Sequence, residues 1–188
     1  MRVIAGAHKG RILKTAHDLS VRPATGKVRA AIFNVLQNRI DLTGARILDL
    51  YAGSGSLGIE ALSRGAQSVV FVEKSQSTLR FLRQNLASVR EERRTEVRSG
   101  DALEYLRTVR EEFDIVFADP PYALEELPHL PAEIFRRGAV AEEGFLIIEH
   151  PAEIFFAADS RYEKVVEKKY GRTRVTFFTH SRSRQTEP

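Results

Sequence analysis

The chain has 188 residues, a mass of 21.2 kDa and a formal net charge of +4, with 43% hydrophobic and 29% charged residues. One globular domain is expected at this length, since domains run to roughly 100–200 residues, and the composition excludes disorder and collagen-like structure. The absence of cysteine excludes a disulfide framework, a cysteine-ligated zinc and a thiol nucleophile, and a cytoplasmic domain is expected because no apolar run nears the ~18 residues of a membrane span and MRVIAGAHKGR is too polar for a secretory leader.

The charge is polarised along the chain. Residues 1–30 hold seven Lys/Arg against one Asp, and residues 161–188 hold eight against three Glu; the segment between them is acidic. Two basic ends around an acidic middle fit either a polyanionic partner or ordinary solvated surface.

In chain order, residues 2–5 and 10–13 flank Gly6-Ala7-His8-Lys9 and predict a small hairpin. His8 and His17 are expected on the surface. Arg22-Pro23 breaks the pattern. Thr25 is the expected N-cap of a helix of about three turns carrying Val28, Ile32, Val35 and Leu36 on one face. Strands are then expected at 47–50, 69–72, 95–98, 113–117 and 144–148, alternating with helices near 57–62, 75–86, 101–109 and 126–135. Residues 163–170 and 172–179 are β-rich and separated by Gly171, which predicts an antiparallel hairpin at one sheet edge. Adjacent Phe177 and Phe178 are expected in the core on opposite sheet faces. The fold class is therefore α/β: a doubly wound, mostly parallel seven-stranded sheet with an antiparallel C-terminal hairpin. Residues 1–40 form an N-terminal hairpin and helix, 41–180 the sheet domain, and 181–188 a tail.

The first strand runs into Asp49-Leu50-Tyr51-Ala52-Gly53-Ser54-Gly55-Ser56-Leu57-Gly58, in which Gly53, Gly55 and Gly58 match G-x-G-x-x-G between a strand and a helix. Glu73 closes the second strand, where a carboxylate accepts from ribose hydroxyls. A nucleoside-containing cofactor is expected over the loop. A dinucleotide fits poorly. The loop is not at the start of the domain, Asp49 would face a pyrophosphate, and no second half-sheet remains for nicotinamide. Beside a cationic amino acid or a sulfonium, Asp49 makes electrostatic sense. Asp101, after the third strand, either accepts from an adenine amine or caps the following helix.

Asp119-Pro120-Pro121-Tyr122 ends the fourth strand on the same sheet edge. Two prolines fix the backbone and remove two N–H donors, leaving carbonyl acceptors beside one carboxyl group. With a following aromatic ring, this suits a planar amine: acceptors for its two N–H bonds and a ring for its π-face. Such hydrogen bonds raise electron density on nitrogen and hold it in line with a methyl electrophile.

These motifs resemble the class I S-adenosylmethionine-dependent methyltransferases, and within them the enzymes that methylate exocyclic amines. Arg2-Val3-Ile4-Ala5-Gly6, Lys9-Gly10-Arg11, Arg22-Pro23, Thr25, Val28, Arg29 and Phe33-Asn34-Val35-Leu36 narrow the match. With them the chain is similar to the bacterial RsmD family, whose members methylate the N2 amine of one guanine in 16S ribosomal RNA. The resemblance runs from residue 1 to about Thr179. Ala24 and Gly26 depart from it, where a hydroxyl and an acidic residue are expected.

The resemblance implies S-adenosylmethionine held by Asp49, Tyr51, Gly53, Ser54, Gly55, Glu73, Lys74, Asp101 and Ala102. It places catalysis at Asp119, Pro120, Pro121 and Tyr122. No metal is implied. RNA contacts are expected from Lys9, Arg11, Lys14, Arg22, Thr25, Lys27 and Arg29, since Lys and Arg suit phosphates. The substrate is expected to be 16S ribosomal RNA, within a small subunit or an assembly intermediate, met by a monomer. The target amine must leave any base stack to reach Tyr122. Alternatives are a same-fold enzyme acting on DNA adenine or protein glutamine, and a non-catalytic RNA-binding module.

Overall fold

A computed structural model describes residues 1–15 and 26–181. Helix α1 (Gly26–Leu36) precedes β1 (Arg46–Leu50), α2 (Ser56–Ser63), β2 (Ser68–Glu73), α3 (Gln76–Val89), β3 (Thr95–Ser99), α4 (Ala102–Thr108) and β4 (Phe113–Ala118). Then come α5 (Leu130–Arg136), β5 (Val140–Pro151), β6 (Tyr162–Tyr170) and β7 (Thr173–His180). The seven strands lie in the order β3-β2-β1-β4-β5-β7-β6. The first five are parallel, and β7 runs antiparallel to both β5 and β6. The chain travels outward from β1 to β3, then restarts at β4 on the other side. The β1/β4 boundary is thus the point where strand order reverses, and ligands of such sheets bind beyond the carboxyl ends of the strands there.

Sequence explains each layer. Strands β1, β2 and β4 are apolar runs covered on both faces, as central parallel strands must be. Edge strands β3 and β6 carry Glu96 and Arg98, and Lys164, Lys168 and Lys169, in exposed positions, which discourages pairing with another chain. Ile47, Phe71, Phe117, Ile147 and Phe177 face one core with α1, α2 and α3. Leu48, Val72, Val116, Ile148 and Phe178 face the other, with α4 and α5. Phe177 and Phe178 are therefore core residues on opposite faces, as their adjacency in a strand requires. No helix among the described residues is long and apolar enough to cross a membrane.

Some boundaries differ from the sequence reading. Strand β5 starts at Val140, which pairs with Phe113, and a register shift follows between Phe113 and Ile115. It ends at Pro151, because antiparallel pairing with β7 extends it past the parallel ladder. The helix expected near 126–135 is a single 3-10 turn at Leu127–His129 followed by α5. Thr25, the expected cap of α1, lies outside the described residues, as does His17.

The expected N-terminal hairpin closes around the antiparallel Arg2–Ile12 bridge, with Val3 N–H donating to the Arg11 carbonyl at 3.0 Å, Gly10 N–H to the Val3 carbonyl at 2.9 Å and Leu13 N–H to the Met1 carbonyl at 2.8 Å. Its anchor to the rest of the fold is α2. Glu60, fully buried, accepts from the Ile4 N–H at 2.7 Å and the Ala5 N–H at 3.0 Å. It also accepts from Arg64 Nε at 2.8 Å and lies 3.7 Å from Arg29 Nε. Ser63 accepts from the Ala7 N–H through its carbonyl and from the His8 N–H through its hydroxyl. Gly6 sits at φ +80°, and a Cβ there would lie 1.7 Å from the Ser63 carbonyl oxygen. Only glycine permits that approach.

Two expectations are corrected here. Arg29 is an expected RNA contact, but it is 1% exposed. Its guanidinium reaches the Arg2 carbonyl and the Met1 sulfur beneath the N-terminal strand, so no phosphate can meet it. His8 is half-buried rather than a surface residue, with Nε2 2.5 Å from Glu91 Oε1.

Replacing Glu60 by alanine strands Arg29 and two backbone donors in the interior. Breaking one partner of a buried charge pair costs ~3–5 kcal/mol. Urea denaturation of Glu60→Ala is expected to show a loss of that size; a loss below ~1 kcal/mol, the surface-pair scale, would show the network to be dispensable.

Candidate active site

Strand parity builds the site. On β1, Ile47 faces the α1/α2/α3 core, so Asp49 does too. The same count from Phe71, Phe117 and Ile147 puts Glu73, Asp119 and Glu149 on that face. Four adjacent strands thus each bring one carboxylate to the carboxyl edge of one sheet face. Ala118 pairs with Ile148, so Glu149 lies beside Asp119.

Backbone amides hold two of these carboxylates. Asp49, 2% exposed, accepts from the Gly58 N–H at 3.0 Å and so ties the strand end to the first turn of α2. Glu73 accepts from the Gly53 N–H at 2.9 Å with one oxygen and from the Ser75 N–H at 2.7 Å with the other. Each carboxylate oxygen retains a further lone-pair direction, so Glu73 can hold the loop and still accept from a hydroxyl.

The glycines have distinct jobs. Gly53 and Gly55 have φ +57° and +82°, and Tyr51 between strand and loop is also left-handed at φ +56°. A Cβ on Gly55 would lie 2.4 Å from Leu82, and one on Gly58 would lie 2.3 Å from the Phe71 ring. Gly53 and Gly55 shape the turn, while Gly58 lets α2 close onto β2. Ser54, 8% exposed, points its carbonyl at Asn85 Nδ2, 2.9 Å away. The Tyr51 hydroxyl is buried with no hydrogen-bond partner among the described residues. Burial, with Asp101 and Glu126 nearby, raises its pKa.

Asp101 caps α4: its Oδ1 accepts from the Leu103 N–H at 2.9 Å and the Glu104 N–H at 3.4 Å. Its other oxygen lies 3.6 Å from Lys74 Nζ, which is otherwise exposed. Ala102 is buried as the first residue of α4. Cap and ligand were both open readings; the cap is present, and the second oxygen faces a cation.

Desolvation dominates the electrostatics. It pushes the Asp49 pKa up to about 8, against the Gly58 N–H and with help from Glu73. Asp119 is half-buried, and its carboxyl is held well above the ordinary carboxylate range by desolvation, then by Glu149 and Asp49. A site that crowds acids in this way favours a cation among them.

After Asp119, Pro120 is buried and Pro121 exposed. The Pro121 carbonyl accepts from the Leu124 N–H at 2.9 Å, which turns the chain back. Tyr122 is 48% exposed, with its hydroxyl 2.6 Å from Thr173 Oγ1 at the start of β7. The ring is thus braced at the sheet edge. Of the expected RNA contacts, Lys9, Arg11, Lys14 and Lys27 are exposed; Arg22 and Thr25 lie outside the described residues. Sequence reasoning missed Glu149 and Asn85. The alternation through Phe145 and Ile147 was a usable signal for the first. Nothing local marked the second.

The family model described as "Conserved hypothetical protein 95" matches residues 1–179. The chain is 39% identical over 157 residues to the Bacillus subtilis protein YlbH, covering 82% of this chain and 84% of that one. It is 35% identical over 156 residues to the Escherichia coli protein named "Ribosomal RNA small subunit methyltransferase D", covering 81% and 76%. The solved structure of yhhF from Escherichia coli superposes with a TM-score of 0.84 at 28% identity, over 96% of this chain and 97% of that one. The chain therefore belongs to the family of conserved hypothetical protein 95, the RsmD-like methyltransferases.

Proposed function

We propose that this protein transfers a methyl group from S-adenosylmethionine to the exocyclic N2 amine of a guanine in 16S ribosomal RNA. One observation carries the reading. Asp119-Pro120-Pro121-Tyr122 extends from the end of β4, the direct hydrogen-bonded neighbour of the strand that ends in the glycine loop. An amine-binding motif and a nucleoside-binding loop thus share one sheet edge, on either side of the switch point. The Escherichia coli relative's name supplies the substrate class.

The donor set fits the cofactor: buried Asp49 and its carboxylate neighbours favour a cationic ligand, and Glu73 has lone pairs for a ribose. When bound, S-adenosylmethionine supplies an electrophilic methyl on a cationic sulfur. Asp119 and the Pro120 carbonyl accept from the two amine hydrogens and aim the nitrogen. Tyr122, braced on Thr173, stacks on the base. Lys9, Arg11, Lys14 and Lys27 meet phosphates and fix the approach of the strand. Asp119, as the carboxylate beside the nitrogen, takes the proton that the alkylated nitrogen releases. The protein acts as a cytoplasmic monomer on the small subunit or an assembly intermediate. A DNA adenine or a glutamine amide would suit the same motif. Between Tyr122 and Ser181 the described residues form α5 and β5–β7, which complete the sheet, and the basic residues that would meet a nucleic acid lie on the N-terminal segment and α1.

Asp119→Ala is expected to lower methyl transfer at least a hundredfold, the scale for one oriented transition-state contact, while calorimetry shows cofactor binding nearly intact. Labelled methyl should appear as N2-methylguanosine in under-methylated small subunits. Label in adenine or in protein would reassign the substrate; cofactor binding lost together with activity would merge the two sites.

Asp49 makes a pH-dependent prediction. Its proton leaves near pH 3.8 in the unfolded chain and near pH 8 in the fold. Between those values the fold holds more proton, so stability falls as pH rises across this window. Asp49→Asn is therefore expected to flatten that dependence and to raise the melting temperature of the unliganded protein above pH 8. It should also weaken S-adenosylmethionine binding by ~1.5–3 kcal/mol, the scale of a lost charged hydrogen bond. Melting curves across pH and titration calorimetry read both. Unchanged affinity would remove Asp49 from the cofactor site.

A further inference from the structure

Asn85 lies on α3, 1% exposed, between two segments that the sequence keeps far apart. Its Oδ1 accepts from the Lys14 N–H at 2.7 Å. Its Nδ2 donates to the Lys14 carbonyl at 2.8 Å and to the Ser54 carbonyl at 2.9 Å. The side-chain amide thus pairs with the backbone of Lys14 as a neighbouring strand would, and spends its second N–H on the cofactor loop. Ser54 stands between Gly53, whose N–H is held by Glu73, and Gly55, where a Cβ would lie 2.4 Å from Leu82. Leu82 is one turn before Asn85 on the same helix. Lys14 is an exposed cation on the N-terminal segment.

We propose that Asn85 is a positioning residue that couples RNA binding on the N-terminal segment to the shape of the cofactor loop. The inference rests on the function proposed above. One planar amide cannot follow Lys14 without tilting against the Ser54 carbonyl, because both bonds start from the same nitrogen. An RNA phosphate that fixes Lys14 therefore fixes the Ser54 peptide, and a cofactor that orders the loop orders Lys14 in turn. The coupling must be reciprocal, since it is a free energy shared between two binding equilibria. A second route supports it: Glu60 and Ser63 bind residues 4–8 to α2, the helix that leaves the loop. That route holds the hairpin in place but contacts no loop carbonyl, so Asn85 carries the direct link.

The test uses S-adenosylhomocysteine, which cannot transfer methyl, and under-methylated small ribosomal subunits. The dissociation constant of S-adenosylhomocysteine is measured by equilibrium dialysis with and without subunits, in the wild type and in Asn85→Ala. The subunits are expected to tighten the wild-type constant about 5–150-fold, the usual range of coupling. In Asn85→Ala that ratio should fall towards one. A purely structural role would lower stability and leave the ratio unchanged, and that result overturns the proposal. If the variant does not fold, amide exchange of the wild type decides. S-adenosylhomocysteine should slow exchange at the Lys14 N–H, and indifference of that amide overturns the coupling. Subunits that are methylated but leave the wild-type ratio at one refute the coupling and keep the function. Subunits that are neither bound nor methylated refute both.

Discussion

Four carboxylates on one face of a sheet edge are an electrostatic liability, and much of the architecture answers it. Parallel strands β2, β1, β4 and β5 are in register, and side chains alternate, so Glu73, Asp49, Asp119 and Glu149 cannot avoid a common face. Desolvation adds to their mutual repulsion. The chain meets the first two with backbone donors from the glycine loop and the start of α3. Those bonds explain why the loop contains glycines: left-handed turns at Gly53 and Gly55 let the Gly53 N–H face Glu73 and the Gly58 N–H face Asp49. Asp49 and Asp119 remain under strain, with proton affinities raised by burial. A cationic ligand relieves that strain, so binding selectivity and pH response have one origin.

The N-terminal segment belongs to the same machine. Val3 and Leu13 are buried in the core shared by α1, α2 and α3. Buried Arg29 and Glu60 hold the strand from below, and Arg64 covers the Phe33 ring at 4.7 Å while binding Glu60. Exposed Lys9, Arg11 and Lys14 are thereby mounted on the helices that frame the glycine loop. Charge polarity along the chain becomes spatial order through these buried contacts, and the exposed cations gain a rigid base.

What the sequence made legible followed short-range rules. Glycine spacing after an apolar strand and a Pro-Pro turn are each decided within about ten residues, and the acid at the end of the next strand lies twenty residues after Gly53. The alternation that put Phe177 and Phe178 on opposite faces is equally local. Misreadings came from partners distant in sequence. Arg29 falls within the buried stripe of Val28, Ile32, Phe33 and Leu36, yet a cation in that stripe makes sense only beside Glu60, a residue of another helix. His8 has Glu91 as its partner, 83 positions away. Asn85 is an ordinary polar residue on an amphipathic helix until Lys14 and Ser54 arrive on either side. Glu149 was within reach of the alternation rule but was hidden because it follows the apolar run of β5 instead of a recognisable motif.

Placement of Glu149 bears on the fate of the proton. An amine conjugated with a base ring is scarcely basic, but once alkylated it becomes strongly acidic and must lose a proton quickly. Even an ordinary aspartate, whose conjugate acid has a pKa of about 4, accepts such a proton downhill. Half-buried beside Glu149, Asp119 holds a proton more tightly than an exposed aspartate. The same crowding that makes the empty site unfavourable therefore makes Asp119 a better acceptor at the moment the nitrogen turns cationic. Bound S-adenosylmethionine would lose its positive charge on transfer, and the proton would then balance the carboxylates. Amine orientation and proton removal can then reside in one side chain, without a histidine or a tuned lysine at the edge of β4.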